Sequence, residues 1–158
     1  MASNEPFRRD ILHAFAILPL AVLLGQVSEA TAQTPSSPVK VDSKGLTAKI
    51  KFEAVLSGFL SDLNGKYKLR VTELTLEPGG YVGEHNHVGP GIRQVISGYM
   101  TYVLPDKTVI YGPGEFFFES GDINHTVFNK TDAPMVHMLF EVLPADLNGP
   151  SLIPVKHH

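Results

Sequence analysis

The chain has 158 residues, a formal charge of −3, no cysteine and no tryptophan. That length and nearly balanced charge fit one globular domain, and they exclude the broad basic surface that a nucleic-acid partner would need. Without cysteine neither a disulfide nor an acylated thiol is available, so packing or a metal must hold the domain together.

Arg8 and Arg9 precede an apolar run from Ile11 to Leu24, and Ala30-Thr31-Ala32 follows with the small-x-small pattern of a signal-peptidase site. The run is shorter than the roughly 20 residues of a bilayer span. Residues 1–32 are therefore expected to be a cleaved export signal, leaving a periplasmic or secreted product without a stable membrane anchor. The flank FRRDIL resembles a twin-arginine signal, with Phe7 where that signal usually has a polar residue; Sec and twin-arginine export both stay open. Residues 33–42, beginning QTPSSPV, read as a linker.

The domain is expected over 43–146. Glu53–Leu63 places Val55, Leu56, Phe59, Leu60 and Leu63 at helical spacing, but Gly58 weakens a helix by about 1 kcal/mol, so a short helix and an irregular edge are both admissible. After the turn-forming Asn64-Gly65, Tyr67–Leu76 alternates as a strand, with a slip between Val71 and Leu74 that suits a bulge or burial on both faces. A turn is expected at Glu77–Gly80. Strands follow at 93–96, 100–104, 108–111, 115–118, 126–129 and 135–142, separated by clusters of Gly, Pro, Ser and Asp. Residues 147–158 read as a C-terminal tail ending in the solvated His157 and His158. Short, closely punctuated strands predict an all-β sandwich or barrel.

His85 and His87 stand two apart, and on a strand that spacing turns both imidazoles to one face, where they can meet one metal ion. With seven histidines in the chain, an H-x-H pair alone is weak evidence.

A longer pattern resembles the cupins. Their first motif is a glycine, five residues, H-x-H, three or four residues, a glutamate, six residues and a glycine; Gly79, His85, His87 and Gly98 fall in register. Their second is a glycine, five residues, proline, one residue, glycine, two residues, histidine, three residues and asparagine; Gly114, His125 and Asn129 match. The resemblance implies an antiparallel jelly-roll β-barrel with His125 brought across to the H-x-H strand, and a divalent transition metal held by His85, His87 and His125. Iron is expected first, with zinc, manganese, nickel and copper as alternatives. The motif-one glutamate falls on Gly91, or on Ile92 at the longer spacing, and Ser120 and Asp122 replace the proline and glycine of motif two, with Gly121 displaced by one.

Three neutral imidazoles without a carboxylate would leave the ion its full charge and a preference for an anionic ligand, with coordination positions open. Arg93, on the inward parity of Gly91, is then expected to clamp a substrate carboxylate in the vacated space. The family also implies oxygenase or dioxygenase chemistry on a small molecule; the alternatives are a metal- or ligand-binding barrel without turnover and a degenerate barrel without metal, whose histidines remain as interior polar groups. Tyr99, Tyr102, Phe116, Phe118 and Met138 are candidate pocket or core residues, His137 is expected as a hydrogen-bonded core histidine rather than a fourth ligand, and Glu84 should point away from its neighbour His85. Family habit raises a homodimer. Unperturbed ligand histidines would release metal as pH falls through about 6.5.

Overall fold

The structure, a computed structural model, describes residues 40–155. The expected export signal and cleavage point, residues 33–39 of the expected linker and the terminal His157 and His158 lie outside the described residues.

Within them the chain forms β1 (Ser43–Val55), β2 (Tyr67–His87), β3 (Gly91–Ser97), β4 (Met100–Val103), β5 (Thr108–Tyr111), β6 (Phe116–Glu119), β7 (His125–Phe128), β8 (Met135–Pro144) and β9 (Leu152–Pro154). All pairings are antiparallel, in the order β5-β4-β7-β2-β8-β3-β6, with β1 and β9 added along β2. The result is a nearly closed, all-β barrel of the jelly-roll kind. Leu76, Val82, Val95, Met100, Tyr102, Val127 and Met135 make its apolar core, and fully buried side chains such as Leu76, Met100 and Met135 each contribute about 1.5–3 kcal/mol.

The structure departs from the sequence pattern in three places. First, the helical spacing after Glu53 yields to strand pairing. Residues up to Val55 complete β1 against β2, with Glu53 opposite Arg70 and Val55 opposite Lys68, and only Ser61–Leu63 forms a 3-10 turn. Second, the turn expected at Glu77–Gly80 is a bend inside the 21-residue β2. Gly79 takes φ +66°, and a Cβ on Gly80 would lie 2.8 Å from the carbonyl oxygens of both Glu77 and Lys44, so only glycine lets β1 follow the bend. Third, residues 147–155 fold back over the barrel as a strap whose β9 pairs with His85–His87.

The slip near Val71 has a different cause from either alternative. Pairing of β2 with β8 is unbroken from Tyr67 to Leu76, and the register shift found at this place lies in β1, between Ile50 and Phe52 opposite Thr72 and Val71. What changes is which face is apolar. Leu74 and Leu76 point inward, but nearer the start of the strand Lys68, Arg70 and Thr72 are the buried residues, and Leu69 and Val71 face out. Glu53 makes this tolerable by pairing with Lys68 Nζ at 3.0 Å and Arg70 Nε at 2.7 Å. Lys68 Nζ and Arg70 Nη1 also donate to the carbonyls of Leu147 and Gly149, at 2.6 and 2.7 Å, and so tie the strap down.

Candidate metal centre

Alternation in β2 turns His85 and His87 inward, and His125, first residue of β7, is the cross-strand partner of His85. The three are buried, and a nitrogen from each lies within 4.8 Å of the other two. Local backbone fixes two of the rings. His85 Nδ1 donates to the Gly83 carbonyl at 2.7 Å and His125 Nδ1 to that of Ile123 at 3.0 Å, which leaves their Nε2 lone pairs facing the interior. His87 Nδ1 faces Ser151 Oγ and Glu141 Oε1, both at 3.4 Å, and the Ser151 hydroxyl donates to that same carboxylate.

Burial, reinforced by His125, pushes His85 down to about 3. Burial also pushes His125 down to about 4, against an opposing pull from Glu119. Both rings are thus neutral at physiological pH, as metal ligation requires, and titrate well below the pH 6.5 expected from sequence. His125 Nε2 has no hydrogen-bond partner although it is buried, and neither has the facing Glu119 Oε1 at 3.3 Å. Two lone pairs opposed in a dry site are what a cation would relieve, so the donor set fits a metal. Imidazole donors with a nearby carboxylate suit zinc, iron, copper or nickel better than magnesium or calcium.

The space beside Gly91 is not vacant. Gly91 lies between Glu119 of β6 and Glu141 of β8, its cross-strand partners on either side. Both carboxylates are buried and face inward. Arg93 is inward-facing and buried, as its parity predicts, but its guanidinium is already occupied. Nε lies 2.7 Å from Glu119 Oε2, Nη1 donates to His137 Nε2 at 2.6 Å and Nη2 to His87 Nε2 at 3.0 Å. Burial alone would push the Glu119 carboxyl up, but Arg93, then His87 and His125, outweigh it and hold it at about 2. The expected uncompensated, anion-seeking site is therefore corrected: two carboxylates stand against one guanidinium.

His137 is a hydrogen-bonded core residue, its Nδ1 facing Met135 Sδ at 3.2 Å, and burial followed by Arg93 lowers its pKa well below the usual range. Among the aromatic candidates only Tyr102 turns inward, its ring 4.6 Å from that of His125. Tyr99, Phe116 and Phe118 are exposed and Phe117 takes the inward position, stacked on Tyr111 at 4.0 Å. Glu84 is on the exposed side. Of the motif-two residues, Asn129 is structural: its Nδ2 donates to the carbonyls of Leu76 and Ala133. Gly121, φ +98°, accepts from the His87 amide at 2.9 Å, which shows that the displaced glycine still closes the turn against β2.

Glu119, Glu141 and Ser151 were missed by sequence reasoning. Glu141 shares the parity of His137 in β8, and Glu119 shares that of Phe117 at the end of an aromatic run, one residue past where the strand was expected to stop. Ser151 carried no signal, because it acts from a segment read as tail.

A cavity of about 290 Å³ adjoins the histidines. Its walls are mostly apolar, including Ile50, Leu74, Val127 and Leu139, and His85, His87, Arg93, His137 and Glu141 are among its polar lining.

A family model described as "Cupin domain" matches residues 72–141. Solved structures share the fold at low identity. The polyketide cyclase RemF from Streptomyces resistomycificus aligns with TM-score 0.54 and 22% identity over 76% of this chain and 82% of its own. A cupin-like protein from Thermotoga maritima aligns with TM-score 0.51 and 20% identity, over 69% and 80%. No curated protein matches the sequence.

Proposed function

We propose that this chain, whose residues 72–141 match a cupin-domain family model, is a cupin that binds one divalent transition-metal ion through His85, His87 and His125 and acts as an oxygenase on a small molecule in the adjoining cavity. The observation that carries the reading is the convergence of three buried imidazoles whose Nδ1 atoms face partners elsewhere, beside a cavity that two of them line; His85 and His125 have Nε2 free, while an ion on His87 would take the place of the Arg93 Nη2 donor. A redox-active ion bound there supplies the capacity to activate dioxygen. The chain's residues would do the rest: the apolar walls bind and desolvate the substrate, while Glu141 and Ser151 orient His87. Glu119 and Glu141 reduce the positive field, so the substrate is a largely apolar molecule with one polar group rather than a strong anion.

One observation favours the alternative of a non-catalytic metal- or ligand-binding barrel. Both arginines that line the cavity, Arg70 and Arg93, already have carboxylate partners within the chain, so no free cation is reserved for orienting a substrate. Protein purified without a histidine tag should contain about one transition-metal ion per chain, and His125→Ala should contain none. Oxygen uptake with small thiols, diketones and phenolic acids then separates the two readings; zinc as the native metal, with no uptake, leaves only the binding one.

The export signal belongs to the same proposal, and its check is the N-terminus of the secreted or periplasmic product, expected at Gln33. Export that survives loss of both Arg8 and Arg9 would remove the twin-arginine form. We also propose a homodimer. An apolar row crosses five strands on the outward face, Phe118–Ile92–Phe140–Val71–Phe52, each residue the cross-strand partner of the next. With the exposed Leu69 and Phe116 beside it, it forms a contiguous apolar face that a second copy could cover.

A further inference from the structure

We propose that Glu119 is the carboxylate ligand of the metal centre, supplied from the strand next to the one on which the cupin motif carries it. This deepens the metal-binding reading above and depends on it. The motif position itself cannot hold a glutamate without rearrangement: a Cβ on Gly91 would lie 2.9 Å from the Phe140 carbonyl oxygen and 3.3 Å from Glu141 Cγ. Glu119 is directly opposite Gly91 in the β3–β6 ladder, so its side chain rises on the same inward face one strand away.

Its two oxygens have different surroundings. Oε2 is held by Arg93 Nε at 2.7 Å. Oε1 is buried with no hydrogen bond of normal geometry, although the Tyr102 hydroxyl faces the same carboxylate, and it lies 3.3 Å from His125 Nε2, which is buried without a partner. A neutral imidazole has a single N–H, yet His125 faces two acceptors, the Ile123 carbonyl at 3.0 Å and this carboxylate. Whichever nitrogen carries the hydrogen, a lone pair is left facing an oxygen; a cation held jointly by Glu119 Oε1 and His125 Nε2 satisfies both.

Glu141, the other buried carboxylate, is placed differently. It meets His87 at Nδ1, on the side of the ring away from Nε2, and already accepts from Ser151, so it is a positioning residue. Arg93, by engaging Oε2, leaves Oε1 for the metal and holds the carboxylate in place; its Nη2, which donates to His87 Nε2 in the metal-free chain, has to give up that bond for the ring to ligate. Three imidazoles and one carboxylate then give a divalent centre of net charge +1, restored by a ligand outside the motif.

The test is titration of the metal-free chain with Co²⁺, read by its visible ligand-field bands, for the wild type, His125→Ala, Glu119→Gln, Glu119→Asp and, as a control on the outward face of β2, Glu73→Gln. Glu119→Gln should raise the Kd at least about tenfold and shift the bands, while Glu73→Gln matches the wild type. If the amide variant does not fold, Glu119→Asp carries the test: it keeps the charge beside Arg93 and withdraws the oxygens by one methylene, so weaker binding is again expected. Wild-type affinity and bands in a folded Glu119 variant would reduce Glu119 to a counter-ion of Arg93 and overturn the inference, while the loss of binding in His125→Ala would leave the three-histidine site standing. A wild type that binds no Co²⁺ would overturn both.

Discussion

At Arg93, one side chain holds three others, and its removal shows how dearly the site depends on pairing. Arg93 and Glu119 are 3% and 4% exposed and their ion pair is 2.7 Å, so Arg93→Ala strands a carboxylate in the interior and strips His137 of its donor. The expected loss is roughly 3–5 kcal/mol, measured by denaturant unfolding of the metal-free chain; Arg93→Lys, which keeps the charge but not the fork, should fall between. Gly91 gives a second residue-scale prediction. Restoring the motif by Gly91→Glu should destabilise the protein by about 1–3 kcal/mol rather than strengthen metal binding, because the new Cβ collides with the Phe140 carbonyl. A folded variant with raised metal affinity would contradict that. The three histidines were legible because spacing along the chain encodes them. The carboxylates were not, since Glu119 and Glu141 reach Gly91 by cross-strand register, which no local pattern records.

At the scale of elements, strands bounded by Gly and Pro were readable, and β3 to β8 lie close to where alternation places them. β1 was not. It is an edge strand whose inward Leu46, Ala48 and Ile50 line a cavity instead of a solid core, and Gly45 at φ +67° interrupts its pattern. β2 misled for the opposite reason: its apolar residues change faces where the barrel interior becomes polar and the exterior apolar. The dimer prediction belongs here. If the outward row is covered by a second copy, sedimentation at micromolar concentration should give twice the chain mass, and Phe118→Ser with Phe140→Ser should give a monomer that keeps its metal affinity, because neither side chain enters the barrel. A wild type monomeric at such concentrations would sink the pairing. The strap is also testable. Ser151→Ala removes the hydroxyl between His87 and Glu141 and should weaken metal binding by about tenfold or more, as loss of an outer-shell partner does.

For the molecule as a whole, the buried rings connect metal binding, folding and pH. In the unfolded chain His85 and His125 protonate near 6.5; in the metal-free fold they do so only at about 3 and 4, and His137 is depressed in the same direction. Between those limits the unfolded state binds more protons than the native state, so stability must rise with pH across the window and is fully present only above about 6.5. Glu119, held at about 2 by its cationic neighbours against an ordinary value of 4.5, extends the loss to lower pH with the same sign. The melting temperature of the metal-free protein is therefore expected to be level above pH 7 and to drop steadily as pH falls from 6.5 toward 3. Saturating metal should raise the whole curve, by about 2.7 kcal/mol at a free concentration one hundred times the Kd. The decisive measurement is a nitrogen NMR titration of the metal-free, folded chain. The His85 and His125 ring signals should stay in the neutral form, with the proton on Nδ1, from pH 8 down to pH 5. Ordinary titration near 6.5 by either ring would mean that water reaches the centre, and the unpartnered His125 nitrogen would then need no metal to explain it.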